Sequence, residues 1–359
     1  MNSPNETILH IDLKKLEQNF NYLKSKLKNS TKIIGVVKAF AYGHGDIKIS
    51  KKLEELGVYA LWVSDFEEGV ALRKSGIKTK IIVANPGMKS YQEIIENQLD
   101  VVIYNHTLLN LYCANKKRAN IHIKFNTGMN RYGFNEYDIK SIVPKIKNSS
   151  HLNLISVCSH LAASNNKAST NYTLDQIKKF ELISKQFELL IKKNINKHLL
   201  NSYGLLNFEK YQMDSVRIGI GLYGSINDKS LKQISCLYSV ITQIRIVEKN
   251  DSIGYGASFI AEKNMKIAII PVGYADGINR QLGSHIGSVF IGNYECNIIG
   301  EISMDSFAID VTGIDVQEGD IVQLFGDKLT VTKIAQKINT IPYEIYATLN
   351  RRIKRVYSE

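Results

Sequence analysis

Eight short apolar runs alternate with stretches of helical spacing through the first two-thirds of the chain, at residues 33–39, 60–64, 80–84, 100–104, 120–125, 154–159, 198–201 and 216–220. A run that stays apolar at every position suits a strand buried on both faces. Parallel strands need crossovers of a dozen or more residues, usually helical. Eight such units predict an α/β fold with an N-terminal closed (β/α)8 barrel of the TIM type, which typically takes about 250 residues. A short strand at residues 8–11 precedes them. A helix follows it, with Leu16, Phe20, Leu23 and Leu27 on one face. From Cys236 the texture changes to short β-rich runs broken by Gly, Asn and Asp, as in Gly292-Asn293 and Gly319-Asp320. A C-terminal, mostly-β domain follows, in which only residues 331–337 have helical spacing. The expected boundary lies near Ser230, giving a barrel over 1–230 and a β domain over 231–359. The strand at 8–11 is free to join the β domain.

The 359 residues carry a net charge of +12, but the lysines are dispersed, as in Lys178-Lys179 and Lys192-Lys193. Dispersed charge without a basic block reads as solvated helix faces, so no nucleic-acid partner is expected. No apolar run is long enough to span a bilayer, so no membrane partner is expected either. The polar start, residues 1–7, lacks the charged-then-apolar pattern of a secretion signal. Cys113, Cys158, Cys236 and Cys296 are far apart and form no C-x-x-C, which suggests neither a metal site nor a disulfide framework. A cytoplasmic location is expected.

In a barrel of this kind the chemistry sits at the carboxyl ends of the strands. Lys38 ends the first run, and Asn126 to Arg131 follow the fifth. His160 ends the sixth, Ser202 follows the seventh, and Arg217 lies in the eighth. The eighth run continues into Gly219-Ile220-Gly221-Leu222-Tyr223-Gly224. This spacing matches a dinucleotide fingerprint, but no helix can follow through the polar residues 225–230. Bare glycine amides after the last strands, with the Ser202 hydroxyl, instead suit a phosphate. A lysine amine held at a strand end loses solvation and becomes a nucleophile. Taken singly, each has a plainer reading: a strand-end lysine facing water, a core histidine, an ion-paired arginine. In the β domain, Gly254-Tyr255-Gly256, Gly273 to Gly277 and Met304-Asp305 read equally as turns with exposed aromatic residues.

The segment Lys38-Ala39-Phe40-Ala41-Tyr42-Gly43-His44-Gly45 resembles the pyridoxal-phosphate signature of the alanine racemase family. Further matches follow in order: Asn126-Thr127-Gly128-Met129-Asn130-Arg131, Ser159-His160, Asn201-Ser202, Val216 to Gly224, Gly254-Tyr255-Gly256, Gly273 to Gly277 and Gly300 to Asp305. The resemblance implies a pyridoxal 5'-phosphate enzyme that interconverts L- and D-alanine by two-base proton transfer and supplies D-alanine for peptidoglycan. It implies that Lys38 carries the cofactor as a Schiff base and that Tyr255 is the second base, contributed across a homodimer with shared active sites. Tyr42, Ser202 and the backbone of Gly219 and Ile220 would hold the phosphate. Arg217 would face the pyridine nitrogen, with His160 bridging Arg217 and Tyr255 and both supplying a positive field. Arg131 would contact the cofactor or the substrate carboxylate, Lys124 matches a lysine that is often carbamylated, and Tyr274, Met304 and Asp305 would line the substrate entrance. Four positions depart from the pattern. Phe40 stands for Asp or Asn, Asn126 for Asp, Arg351 for a phosphate-binding tyrosine, and Glu301 for an entrance arginine. The rival expectations are a serine or broad-specificity racemase, a barrel-type amino-acid decarboxylase, and a non-catalytic cofactor-binding barrel.

Overall fold

In the computed structural model, which describes residues 6–359, the apolar runs close on themselves. The chain starts with β1 (Ile8–Asp12) and helix α1 (Leu13–Ser25). The barrel strands are β2 (Lys32–Val36), β3 (Ala60–Val63), β4 (Lys80–Val83), β5 (Asp100–Ile103), β6 (Ala119–Lys124), β7 (Leu152–Cys158), β8 (Asn196–His198) and β9 (Ser215–Ile218). Each pairs in parallel with the next, and β9 returns to β2. Helices follow the strands, from Asp46–Glu55 through the long Thr170–Ile191 to the short Ser202–Asn207. Asp65, Asn105 and Asn201 cap three of them by accepting backbone N–H bonds from Glu68, Leu108 and Gly204. These caps fix how the chain leaves the carboxyl ends of β3, β5 and β8.

The second part contains β10 (Ser235–Val240), β11 (Gln243–Val247), β12 (Ser252–Ile253), β13 (Phe259–Ile260), β14 (Met265–Ile270), β15 (Ser288–Ile291), β16 (Tyr294–Ile299), β17 (Phe307–Asp310), β18 (Ile321–Phe325) and β19 (Lys354–Ser358). Nine strands form one sheet in the order β11-β14-β17-β16-β15-β18-β10-β1-β19, and β12 and β13 form a separate ribbon. Thus β1 lies antiparallel to β10 and parallel to β19. Packing divides the described residues into two units: residues 20–41 and 46–222, and residues 6–19, 42–45 and 223–359. A second helix, Pro342–Ala347, joins Val331–Lys337, where the spacing had suggested one helix alone. Pro at its first turn, pre-set for helix, is the signal that spacing misses. Among the described residues no helix is long and apolar enough to cross a membrane. Most of the polar leader, residues 1–5, lies outside the described residues.

Candidate active site

Lys38 follows the carboxyl end of β2 and opens a turn that no sequence pattern announced. Ala39, Phe40, Ala41 and Tyr42 all have φ between 51° and 55°, a left-handed helical turn built from non-glycine residues. Each such residue costs roughly 1–2 kcal/mol, so something must hold the turn in place. One restraint is Glu68, whose carboxylate accepts from the Ala39 amide at 2.6 Å and the Ser64 amide at 2.7 Å. Burial raises the pKa of Glu68 despite those bonds. The conformation also gives a reason for Asp or Asn at position 40 in the family, since both tolerate this backbone better than Phe.

Lys38 is exposed at the barrel mouth, beside the buried end of β2. Desolvation lowers its pKa, the Arg131 charge lowers it further, and Glu68 partly opposes both. Lys124 ends β6 and is 9% exposed. Burial brings its pKa down to about 8, opposed by Cys158 and reinforced by the smaller effects of the Arg217, Arg131 and Lys38 charges. The loop after β6 is laced by Asn126. Its Oδ1 accepts from the amides of Gly128 and Asn130, and its Nδ2 donates to Asn130 Oδ1 at 2.8 Å. An aspartate would keep the first two bonds and lack the third, so Asn126 is a local improvement in loop closure.

Arg217 is 5% exposed. Its NH1 donates to His198 Nδ1 and the His198 carbonyl, and its NH2 to His160 Nδ1 and the carbonyls of Ser159 and Leu199. Among the described residues no carboxylate pairs with it, and Nε keeps no protein partner. Arg217 can only donate, so His160 must accept at Nδ1 and carry its proton on Nε2. Burial and the Arg217 charge hold the pKa of His160 well below the usual range. This corrects the sequence expectation: His160 is neutral, and the positive field comes from Arg217, Arg131 and the lysines.

Ser202 Oγ accepts from the amides of Gly219 at 3.1 Å and Gly221 at 3.2 Å. The Gly219 amide is thus turned onto the serine, while that of Ile220 has no protein partner among the described residues. A Cβ at Gly221 would lie 3.3 Å from Ser202 Oγ and 3.2 Å from Leu23 Cδ1, so a side chain would crowd this cradle.

The remaining site residues belong to the unit that contains β10 to β19. Tyr42 is buried there, its ring centroid 4.8 Å from that of Tyr223 with the planes tilted by 36°, and its pKa is raised by burial. The glycines beside it are obligatory. A Cβ at Gly43 would lie 2.1 Å from the Tyr346 carbonyl oxygen, and one at Gly45 would lie 1.9 Å from the Tyr357 hydroxyl. Tyr255 projects from a turn between Gly254 and Gly256 and is 76% exposed. Tyr274 and Met304 are also exposed. Arg352 links Asp276 at 3.3 Å and Asp305 at 2.9 Å. Glu301 pairs with Arg280 at 3.0 Å, so an arginine still accompanies the position where the family pattern has one.

The family model described as alanine racemase, N-terminal domain, matches residues 11–227, and the C-terminal domain model matches residues 234–357. An alanine racemase of Halothermothrix orenii is 36% identical, with 98% of this chain and 96% of that protein covered. Alanine racemase 2 of Caldanaerobacter subterraneus subsp. tengcongensis is 33% identical over 98% of this chain and 94% of its own length. Among solved structures, alanine racemase of Clostridium difficile 630 superposes with a TM-score of 0.91 at 29% identity, covering 99% of this chain and 97% of that one. Alanine racemase from Bartonella henselae with covalently bound pyridoxal phosphate gives 0.89 at 28%, covering 99% and 100%.

Proposed function

The chain belongs to the alanine racemase family, and from that premise we propose that it interconverts L-alanine and D-alanine with pyridoxal 5'-phosphate held on Lys38. The observation that carries this reading is a lysine at a barrel mouth whose pKa is lowered by burial and by Arg131, on a barrel that also holds a buried arginine, Arg217, with no carboxylate partner among the described residues. The residues suit the cofactor. Among the described residues Arg217 has an unused Nε donor and Ile220 an unused amide, and Gly221 leaves room that a side chain would fill. When bound, the cofactor supplies an electron sink that acidifies the α-proton of an amino acid.

The chain's own groups then divide the work. Lys38 Nζ moves the α-proton on one face, and the Tyr255 hydroxyl moves it on the other. The exposure of Tyr255 suits a contribution to the site of a second copy, so the working form is a homodimer with shared sites. Arg217, whose guanidinium does not give up its proton near neutrality, would face the ring nitrogen of the bound cofactor and so restrain side reactions. Ser202, the Ile220 amide and Tyr42 hold the phosphate, with the Gly219 amide fixing the Ser202 hydroxyl, and His160 bridges Arg217 to Tyr255 of the partner subunit. Arg131 meets the substrate carboxylate. Tyr274, Met304 and Asp305 line the entrance. Lys124, with a pKa of about 8, has enough neutral amine to take up carbon dioxide as a carbamate. The enzyme acts in the cytoplasm, and its D-alanine goes to peptidoglycan.

Chiral analysis of products from a panel of L-amino acids tests this. D-Alanine should form fastest, with L-serine and longer side chains well behind. Loss of the carboxyl group as carbon dioxide, or no change of configuration with any substrate, rejects it.

A further inference from the structure

A row of buried polar side chains runs through the barrel interior, one from each of five successive strands: Asp100 on β5, His122 on β6, Ser156 on β7, His198 on β8 and Arg217 on β9. All are 5% exposed or less, in a layer that barrels usually fill with Val, Ile and Leu. Asp100 Oδ2 lies 3.5 Å from His122 Nε2. His122 Nδ1 lies 2.6 Å from Ser156 Oγ, which lies 3.0 Å from His198 Nε2. His198 Nδ1 meets Arg217 NH1.

The row has one allowed direction. Arg217 only donates, so His198 Nδ1 is bare and its Nε2 bears the proton. That proton goes to Ser156 Oγ, whose own hydrogen must then go to His122 Nδ1. His122 consequently carries its proton on Nε2, which faces the Asp100 carboxylate at 3.5 Å without a formed hydrogen bond. The other Asp100 oxygen is taken by Asn120 Nδ2 at 2.8 Å, and the Arg73 charge acts on Asp100 from a distance without a close ion pair. A guanidinium at one end and a carboxylate at the other therefore agree with every tautomer between them. The register of β6 is built for this. It pairs Ile121 with Leu154 but His122 with Ser156, and this irregularity brings Ser156 rather than Ile155 opposite His122. Bulges commonly re-aim a side chain in this way.

We infer that Asp100, His122 and Ser156 form, with His198, a one-way row that positions Arg217: hydrogen bonds run from Arg217 through His198 and Ser156 to His122, and the last step, to the buried Asp100 carboxylate at 3.5 Å, is electrostatic. The three are positioning residues, since none touches substrate. A chain of aligned bonds polarises each member, which holds the Arg217 fork in one orientation. The direction of the relay stands on geometry alone, and its effect on rate rests on the reading of Arg217 given above.

The test uses the full-length holoenzyme labelled with ¹⁵N-histidine, with resonances assigned by single substitutions among the eight histidines. In the wild type His122 and His198 should each show a protonated Nε2 and a bare Nδ1. Ser156→Ala should leave His198 in that form, because Arg217 still holds it, while His122 becomes a mixture. The kcat should fall about tenfold, the equivalent of roughly one hydrogen bond, with KM for L-alanine within about twofold. His122→Asn can still accept from Ser156 but does not reach Asp100. It should give a similar kcat loss, and it serves if Ser156→Ala does not fold. A proton on Nδ1 of either wild-type histidine overturns the relay, as does wild-type kcat in the broken variants. A wild-type enzyme that fails to racemise alanine overturns the functional reading instead, and the tautomers remain a separate result.

Discussion

At the scale of single residues, burial among like charges sets the chemistry. Lys124 sits near Lys38, Arg131 and Arg217, and its ammonium form is disfavoured until the pKa reaches about 8. At pH 7 roughly a tenth of such lysines are neutral, against far fewer than one in a thousand for a free side chain. Carbamate formation needs the neutral amine, so uptake should rise with pH through about 8. With ¹³C-bicarbonate, the wild type should show one protein-bound carbamate resonance that Lys124→Arg lacks. A resonance that survives the substitution would place the modification elsewhere, and its absence from both would show that Lys124 stays a free amine. Residue identity alone suggested Lys38, His160, Ser202 and Arg217, because polar side chains at the ends of apolar runs stand out. It did not single out Glu68, which reads as an ordinary acidic residue in the first turn of Phe66–Lys74. Nor did it reveal His122 and Ser156, whose inward direction depends on register. The charge of His160 was misjudged because burial is not visible in a sequence.

At the scale of elements, the barrel strands were legible, and the turn that carries Lys38 was not. A strand buried on both faces must be apolar throughout, and eight of them recur at regular spacing. In contrast, nothing in Lys38-Ala39-Phe40-Ala41-Tyr42 signals positive φ, since the usual markers are Gly and Asn. The final strand and the helix Pro342–Ala347 were missed for a related reason: both are short, and β19 is only half-buried. The strain in the turn is testable by paired substitutions. Ala39 is exposed at φ 53°, so Ala39→Asn removes no packing and should stabilise the protein by about 0.5–1 kcal/mol. Glu68→Gln places an amide against one of two backbone donors and should destabilise by about 1–3 kcal/mol. Urea midpoints measure both. A lower midpoint for Ala39→Asn, or an unchanged one for Glu68→Gln, would show that the turn is not strained and not held by Glu68.

At the scale of the whole molecule, the claim at the centre is that one active site is built from two chains. Lys38 belongs to the barrel unit, and Tyr255 stands exposed in the unit of β10 to β19. Position in the sequence gives no hint of which copy Tyr255 serves, because motif order is the same in either case. Mixing two inactive variants decides it. Lys38→Ala should be dead, since it cannot hold the cofactor covalently. Tyr255→Phe should lose a factor on the order of 10² to 10⁴, the contribution of one acid–base group. When subunits exchange, each heterodimer has one site with both defects and one with neither. At equal mixing about a quarter of all sites become intact, so racemisation should return to about a quarter of the wild-type rate. Mass spectrometry of the mixture verifies the exchange. Heterodimers with no recovered racemisation would contradict the shared site and put both bases in one chain.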